Sequence, residues 1–140
     1  HDTLDDVIKR AENIGVTLVL ENIQDIDPDI RRVLVDSFNS KAFAVSIDTG
    51  HAHYAHGSTD APPVDYYVRR AGNRLEHIHL QDADGYADRH WNIGEGTIGW
   101  HAVFRALSEL SSNPRLILEL RNKNGILPSV AYLNQLGLAR

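Results

Sequence analysis

Four short hydrophobic runs in this chain each end in a residue type that binds metal ions. The runs are Thr17–Glu21, Ala44–Asp48, Leu75–His79 and Leu116–Glu119, and together they end in two Glu, one Asp and one His. This oxygen-rich set of ligands suits Mn²⁺ or Mg²⁺ and also accommodates Zn²⁺ or Co²⁺. We therefore expect a divalent metal centre built from these four run ends.

Glu21 and Glu119 stand out because almost every other residue of their runs is apolar. A charged side chain there must be paired, bind a metal or lie at the open end of a strand. A solvated strand end is the plain alternative for either Glu alone, but Asp48 and His79 occupy matching positions and favour a shared site. Two carboxylates beside a bound substrate could also remove a proton on one face and return it on the other.

Two further motifs carry candidate site residues. In Asp48-Thr-Gly-His51, Gly50 permits a sharp turn, so Asp48 and His51 can face one site from a short loop. Asp88-Arg-His90 lies in a long polar loop, and loops of that length are usually functional or mobile. We expect the neighbouring His53 to lie on the surface.

Strand alternation places His77 and His79 on one face of their strand. His79 is nearer the loop and is the predicted ligand. His77 lies one layer deeper, where a buried or supporting role is at least as compatible with the pattern.

The elements that must position these residues are predicted as one helix followed by four βα units. The predicted strands are Val16–Leu20, Phe43–Ile47, Leu75–Leu80 and Leu116–Leu120. The predicted helices are Leu4–Ile14, Asp27–Asn39, Val64–Ala71, Trp100–Ser111 and Leu127–Leu136, with long loops at 48–63 and 81–99. Thr3 with Asp6 predicts a capping box for the first helix, and Asp27-Pro28 predicts the N-cap and first residue of the second. Strands alternating with helices imply a parallel sheet, whose C-terminal edge would collect the four ligands.

Composition sets limits on the class of protein. The 140 residues are 42% hydrophobic, enough for one domain, residues 1–140, with its own core. A net charge of −5 argues against binding a nucleic acid backbone, and the lack of cysteine excludes disulfides and thiolate metal sites. Because the chain has no apolar run near the roughly 20 residues of a membrane span, we expect a cytoplasmic protein without a membrane segment.

As a set, the motifs of this chain resemble the xylose-isomerase-like barrel superfamily, which holds sugar isomerases and epimerases alongside the endonuclease IV family. The motifs are Leu20-Glu21-Asn22, Asp48-Thr-Gly-His51-Ala, His77-Ile-His79-Leu-Gln-Asp82, Asp88-Arg-His90, Gly94-Glu-Gly-Thr-Ile-Gly99 and Ile117-Leu-Glu119. The resemblance implies an α/β fold of the (β/α)₈ TIM-barrel type, of which this chain matches strands five to eight. Because such barrels typically need about 250 residues, the chain would be a half barrel or a fragment.

In the sugar-enzyme branch, the resemblance implies a metal-dependent isomerase or epimerase that acts on a sugar or sugar phosphate through an enediolate. Glu21, Asp48, His79 and Glu119 match its metal ligands, and Glu21 and Glu119 match the Glu pair that transfers the proton. His51 matches a substrate-contacting position, and we expect His90 to contact substrate with it.

Two other interpretations stay open. The nuclease branch uses a trinuclear zinc site, to which His51, Asp88 and His90 would add ligands; the acidic charge and the short segment between His79 and Asp88 count against it. Alternatively, the chain is a non-catalytic half barrel that pairs with a second copy, because an open half barrel leaves two exposed sheet edges.

Overall fold

Four parallel strands form one sheet in the order β1-β2-β3-β4. The computed structural model describes residues 3–139. The strands are β1 (Leu18–Glu21), β2 (Phe43–Asp48), β3 (Leu75–Leu80) and β4 (Arg115–Leu118). Each predicted strand is present, and the parallel sheet expected from the alternating pattern is confirmed.

Six helices connect and flank these strands within residues 3–139. They are α1 (Asp5–Ile14), α2 (Ile30–Ser37), α3 (Thr49–Ser58), α4 (Val64–Ala71), α5 (Trp100–Ser108) and α6 (Ile126–Gln135), with single 3₁₀ turns at Gly72–Arg74 and Lys123–Gly125. None of these helices is long and apolar enough to cross a membrane.

Helix α3 lies where the sequence predicted a loop, and that prediction was wrong. The segment has no apolar stripe of helical period, so its pattern does not indicate a helix. The helix begins because Asp48 leaves β2 in an extended conformation and its carboxylate accepts a hydrogen bond from the His51 N–H. Asp48 is therefore both the last residue of a strand and the N-cap of a helix.

The predicted N-terminal caps of α1 and α2 were also wrong. Leu4 precedes α1 and has no side chain that could cap it, whereas Gly15 does end α1 in a left-handed conformation (φ 69°), as predicted. Helix α2 begins only at Ile30, because the Asp27 carboxylate accepts a hydrogen bond from the Asp29 N–H and forms a turn before the helix.

The two faces of the sheet differ in chemistry. One face packs against the helices, and the core lies between them. Its fully buried members include Leu75 and Ile78 of β3 and Val35, Val68 and Val103 of the helices α2, α4 and α5. The opposite face, here called the site face, carries Glu21, Ser46, Asp48, His77 and His79. An irregularity between Val45 and Ser46 shifts the register of β2 against β3, so that Ser46 lies beside His77 and Asp48 beside His79.

Candidate metal centre

The four predicted ligands converge at the C-terminal edge of the sheet. Glu21 and Asp48 are the last residues of β1 and β2, and His79 is the last but one of β3. Glu119 follows β4, where its N–H continues the ladder by donating to the Leu80 carbonyl at 3.0 Å. Parallel pairing thus brings side chains from opposite edges of the sheet to one place.

His79 lies between the two glutamates. Its Nδ1 is 2.8 Å from Glu21 Oε2 and 3.0 Å from Glu119 Oε2. Both distances are short, yet neither contact has the direction of a hydrogen bond, and the buried Nδ1 has no hydrogen-bond partner among the described residues. The three groups therefore crowd around a common point without bonding to one another.

Asp48 contributes a second buried atom without a partner. Its side chain is fully buried, and Oδ2 accepts no hydrogen bond from the part of the chain that the structure describes. One ligand atom each from Asp48, His79 and Glu119 lies within 4.8 Å of the others, and Glu21 joins Asp48 and His51 in the same way. Buried polar atoms normally have partners. A cation bound among these oxygens and the imidazole nitrogen would satisfy them, so the residues fit a divalent metal.

The other oxygen of Asp48 is held in place. Asp48 Oδ1 accepts hydrogen bonds from the His51 N–H at 2.7 Å and from Gln81 Nε2 at 3.1 Å. The Asp48 backbone N–H donates to Asn22 Oδ1 at 2.8 Å. Burial raises the pKa of Asp48 to about 6, with Glu21 adding to the rise and His51 opposing it. A bound cation would favour the ionised carboxylate that burial disfavours.

Glu21 rests on a hydrogen-bonded pair on the site face. The Ser46 hydroxyl donates to Glu21 Oε2 at 3.0 Å and lies 2.9 Å from His77 Nδ1. Because the single hydroxyl proton points to the carboxylate, His77 Nδ1 must carry the proton that it donates to Ser46. The predicted supporting position of His77 is thus behind Glu21, and burial together with His79 lowers the pKa of His77.

His51 stands on the first turn of α3, beside the centre. Its Nδ1 donates to the Asn22 carbonyl at 3.0 Å, which leaves Nε2 facing Asp88 Oδ2 at 3.4 Å. Burial alone would lower the pKa of His51, but the nearby carboxylates, led by Asp48, raise it above the ordinary value. The short loop expected for His51 is therefore a helix start.

The loop after β3 returns Asp88 and His90 to the same edge. His90 Nε2 lies 3.1 Å from Asp88 Oδ2, and His90 Nδ1 donates to the Glu119 carbonyl at 3.2 Å. Although burial opposes it, the Gln81 hydrogen bond and the two histidines hold the pKa of Asp88 below its usual range. His51, Asp88 and His90 place one ligand atom each within 4.8 Å of the others, forming a second cluster of metal-ligand type.

Sequence reasoning missed three buried residues that support the centre. Asn22 binds both the N–H and the carbonyl of Asp48, Ser46 orients Glu21, and Gln81 holds Asp48 and Asp88. Asn22 and Gln81 stand inside the quoted motifs, and that proximity to the ligands was the available signal. His53 is half-buried rather than on the surface, with Nε2 2.7 Å from the Thr97 hydroxyl.

Comparison with known proteins identifies the family. A family model described as "Xylose isomerase-like TIM barrel" matches residues 2–136. The chain belongs to the xylose isomerase-like TIM barrel family. Fructoselysine 3-epimerase of Escherichia coli O157:H7 is a relative, 28% identical over 109 residues, which are 74% of this chain and 38% of that protein.

Two solved structures share the fold of this chain. A D-tagatose 3-epimerase-like protein superposes with a TM-score of 0.81 at 26% identity, covering 96% of this chain and 51% of the other. The TTHB071 protein from Thermus thermophilus, soaked with ZnCl₂, has a TM-score of 0.76 at 30% identity, covering 99% and 52%. The chain thus spans about half the length of these two proteins and 38% of the length of fructoselysine 3-epimerase. Its four-stranded parallel sheet is a piece of a TIM barrel, which confirms the predicted fold class.

Proposed function

We propose that this chain carries the catalytic centre of a divalent-metal-dependent sugar or sugar-phosphate isomerase or epimerase. The observation that carries the proposal is the meeting of Glu21 and Glu119, from the two edges of the sheet, at His79 Nδ1. The similarity to fructoselysine 3-epimerase and to the D-tagatose 3-epimerase-like protein supports the same reaction class.

Glu21, Asp48, His79 and Glu119 would hold the metal. When bound, a divalent cation supplies Lewis-acid polarisation of the carbonyl and hydroxyl oxygens of a sugar. Three carboxylates and one imidazole favour Mn²⁺ or Mg²⁺, and Zn²⁺ or Co²⁺ also fit this donor set.

The two glutamates would move the proton. One carboxylate removes the proton from the carbon next to the substrate carbonyl, and the electron pair of the C–H bond passes to the carbonyl group, giving an enediolate. The other glutamate, which must start in its protonated acid form, then delivers its proton to the opposite face of the same carbon, and the carbonyl re-forms. In an isomerisation the proton goes instead to the neighbouring carbon, and a hydroxyl proton moves between the two oxygens. Ser46 orients Glu21 for this transfer, and the 42% exposure of the Glu119 side chain leaves it accessible to a substrate.

His51 and His90 would position substrate hydroxyls. Their rings lie edge to face with centroids 6.4 Å apart, and Asp88 lies within 3.4 Å of one Nε2 and 3.1 Å of the other. Each histidine has its Nδ1 engaged by a backbone carbonyl, so each ring is fixed in orientation. This arrangement suits recognition of hydroxyl groups close to the proton-transferring carboxylates.

Deuterium exchange tests the proposal directly. Purified protein with Mn²⁺, Co²⁺ or Mg²⁺ is incubated in deuterium oxide with a panel of ketoses, aldoses and their phosphates, and with fructoselysine. We expect one substrate to acquire deuterium at the carbon next to its carbonyl, and we expect Glu21→Gln and Glu119→Gln each to reduce the rate by at least about 100-fold. No incorporation into any member of the panel would count against the proposal.

The cluster of His51, Asp88 and His90 favours a second candidate, a zinc-dependent nuclease acting at abasic DNA sites. These residues could bind further metal ions beside the first centre. The net charge of −5 opposes binding to DNA. Elemental analysis separates the two functions: three zinc ions per chain with cleavage of an abasic duplex would support the nuclease, and one metal without cleavage would exclude it.

A further inference from the structure

Gln81 is a completely buried side chain that connects the metal centre to the loop after β3. Its Nε2 donates to Asp48 Oδ1 at 3.1 Å and to Asp88 Oδ1 at 2.8 Å. Its Oε1 accepts from the His90 N–H at 2.7 Å. Both amide protons and the amide oxygen are therefore used, and all three partners belong to the candidate site.

The backbone of His90 shows why this connection is needed. His90 has a φ of 51°, in the left-handed region that residues other than glycine rarely adopt. Such a conformation persists only when surrounding contacts impose it. The N–H of His90 is held by Gln81, and its carbonyl accepts from the Arg121 N–H at 2.9 Å.

Helix α3 leaves space for the Gln81 side chain at Gly50. A Cβ atom added to Gly50 would lie 2.3 Å from Gln81 Cδ and 2.4 Å from its Oε1. No side chain can stand at position 50 unless that amide moves. Gly50 lies inside α3 and has no positive φ, so the predicted sharp turn does not explain it; the glycine of the Asp48-Thr-Gly-His51 motif is required by the Gln81 side chain.

We infer that Gln81 is a positioning residue that couples metal binding at Asp48 to the placement of Asp88 and His90. Gln81 fixes Asp48 through Oδ1 and leaves Oδ2 free, while the same amide holds the two loop residues beside His51. Because the coupling is reciprocal, metal binding should order the loop residues, and loss of the loop contacts should weaken metal binding. This inference rests on the proposed function only in taking Asp48 as a metal ligand.

The test replaces Gln81 with methionine, which keeps the volume and removes all three hydrogen bonds. Calorimetric titration of the metal-free 140-residue chain with Mn²⁺ should give a Kd about 10-fold weaker than wild type, as is typical for residues that support metal ligands. Amide exchange measured by NMR with diamagnetic Mg²⁺, since paramagnetic Mn²⁺ would broaden the nearby signals, should show that the metal slows exchange at His90 in the wild type and much less in Gln81→Met. The visible absorption of bound Co²⁺ should also change, because the Asp48 carboxylate is free to turn.

Two matched variants separate positioning from general loosening. Gly50→Ala keeps every polar group and is favourable for a helix, but it displaces the Gln81 amide, so it should reproduce the weaker Mn²⁺ binding and the altered Co²⁺ spectrum. Ser129→Ala removes a buried hydroxyl of α6. This hydroxyl accepts a hydrogen bond from the N–H of Ile93, which lies in the loop after β3, and it does not contact Asp48. Ser129→Ala should lower the free energy of unfolding while leaving Mn²⁺ affinity and the Co²⁺ spectrum unchanged.

The outcomes distinguish failure of this inference from failure of the proposed function. Wild-type affinity in both Gln81→Met and Gly50→Ala would overturn the role of Gln81 alone, and so would an equal loss in Ser129→Ala. If Gln81→Met does not fold, Gly50→Ala decides the question in the same way. A wild-type chain that binds no Mn²⁺ would overturn the metal centre itself, and the coupling with it.

Discussion

Asp48 and Glu119 carry the same functional group in opposite environments. The Asp48 side chain is 0% exposed and is fixed by hydrogen bonds, whereas the Glu119 side chain is 42% exposed. A buried, immobile carboxylate suits the anchoring of a cation, and an accessible one suits proton transfer to a substrate. We therefore expect Asp48 chiefly to anchor the metal and Glu119 also to transfer the proton.

The burial of Asp48 predicts a pH-dependent cost in the metal-free protein. Its pKa rises from an ordinary value of 3.8 to about 6 in the folded state, so the folded state binds the proton more tightly than the unfolded state. The stability associated with protonated Asp48 is therefore present below about pH 4 and is lost as the pH rises through 6. Full ionisation costs roughly 3 kcal/mol, taking about 1.4 kcal/mol for each pKa unit.

Asp48→Asn removes this cost and keeps an oxygen for the His51 and Gln81 donors. In the presence of a chelator, urea unfolding at about pH 4.5 and about pH 7.5 should show the Asp48→Asn variant gaining about 2 kcal/mol of stability relative to wild type, because part of the roughly 3 kcal/mol is already lost at pH 4.5. A difference that stays constant with pH would contradict the burial of an ionisable Asp48. With saturating Mn²⁺, the wild type should be more stable than Asp48→Asn at about pH 7.5, because only the wild type has the Asp48 carboxylate to bind the metal.

At the scale of elements, one buried carboxylate organises the long loop after β3. Asp82 Oδ2 accepts from the Gly94 N–H at 2.8 Å and from Trp100 Nε1 at 3.0 Å. Its Oδ1 accepts from the N–H groups of Ala83 and Ile98 at 3.0 and 3.3 Å. The loop is therefore fastened to the start of α5, which keeps Asp88 and His90 at the edge of the sheet.

Asp82→Ala should release this loop. It leaves several buried donors without a partner, so we expect a loss of about 3 kcal/mol in the free energy of unfolding and faster amide exchange at Gly94 and Ile98. Asp84→Ala is the matched control, because Asp84 pairs with the partly exposed Arg89 and an ion pair that is open to solvent contributes little to stability. Equal losses in the two variants would refute a special role for Asp82.

At the scale of the whole molecule, the sheet has two open edges, β1 and β4. The site face also exposes apolar side chains: Val19 is 40% and Ile117 is 39% accessible. In water, such edges and apolar patches promote association. A second copy of the chain, or the further βα units of a complete barrel, would cover them.

We predict that the 140-residue chain by itself associates through these surfaces. Light scattering at micromolar concentration should give a mass above the 15.6 kDa of one chain. Val19→Lys with Ile117→Lys should shift the distribution toward the monomer, since charges on the site face oppose pairing. A folded wild-type monomer of 15.6 kDa would exclude the paired half barrel.

The sequence by itself determined the parallel βα order, the residue types at the four strand ends and the barrel family. These features are local, because a strand is recognisable from its composition and a parallel sheet places all its strand ends at one edge. Even there, the N-terminal caps of α1 and α2 were predicted wrongly, and α3 was not predicted at all. Helix α3 begins at a hydrogen bond from the His51 N–H to the Asp48 side chain, and the residues of α3 show no apolar periodicity from which the helix could be predicted.

Only the tertiary structure decided how the site is held. The contacts of Gln81 join residues separated by as many as 33 positions, and those of Ser46 by as many as 31. Such contacts depend on strand register and on the path of the loop, which residue spacing does not encode. The candidate ligands at the strand ends could therefore be proposed from their types and positions, whereas the contacts of the buried Asn22, Ser46 and Gln81 side chains with them became visible only in three dimensions.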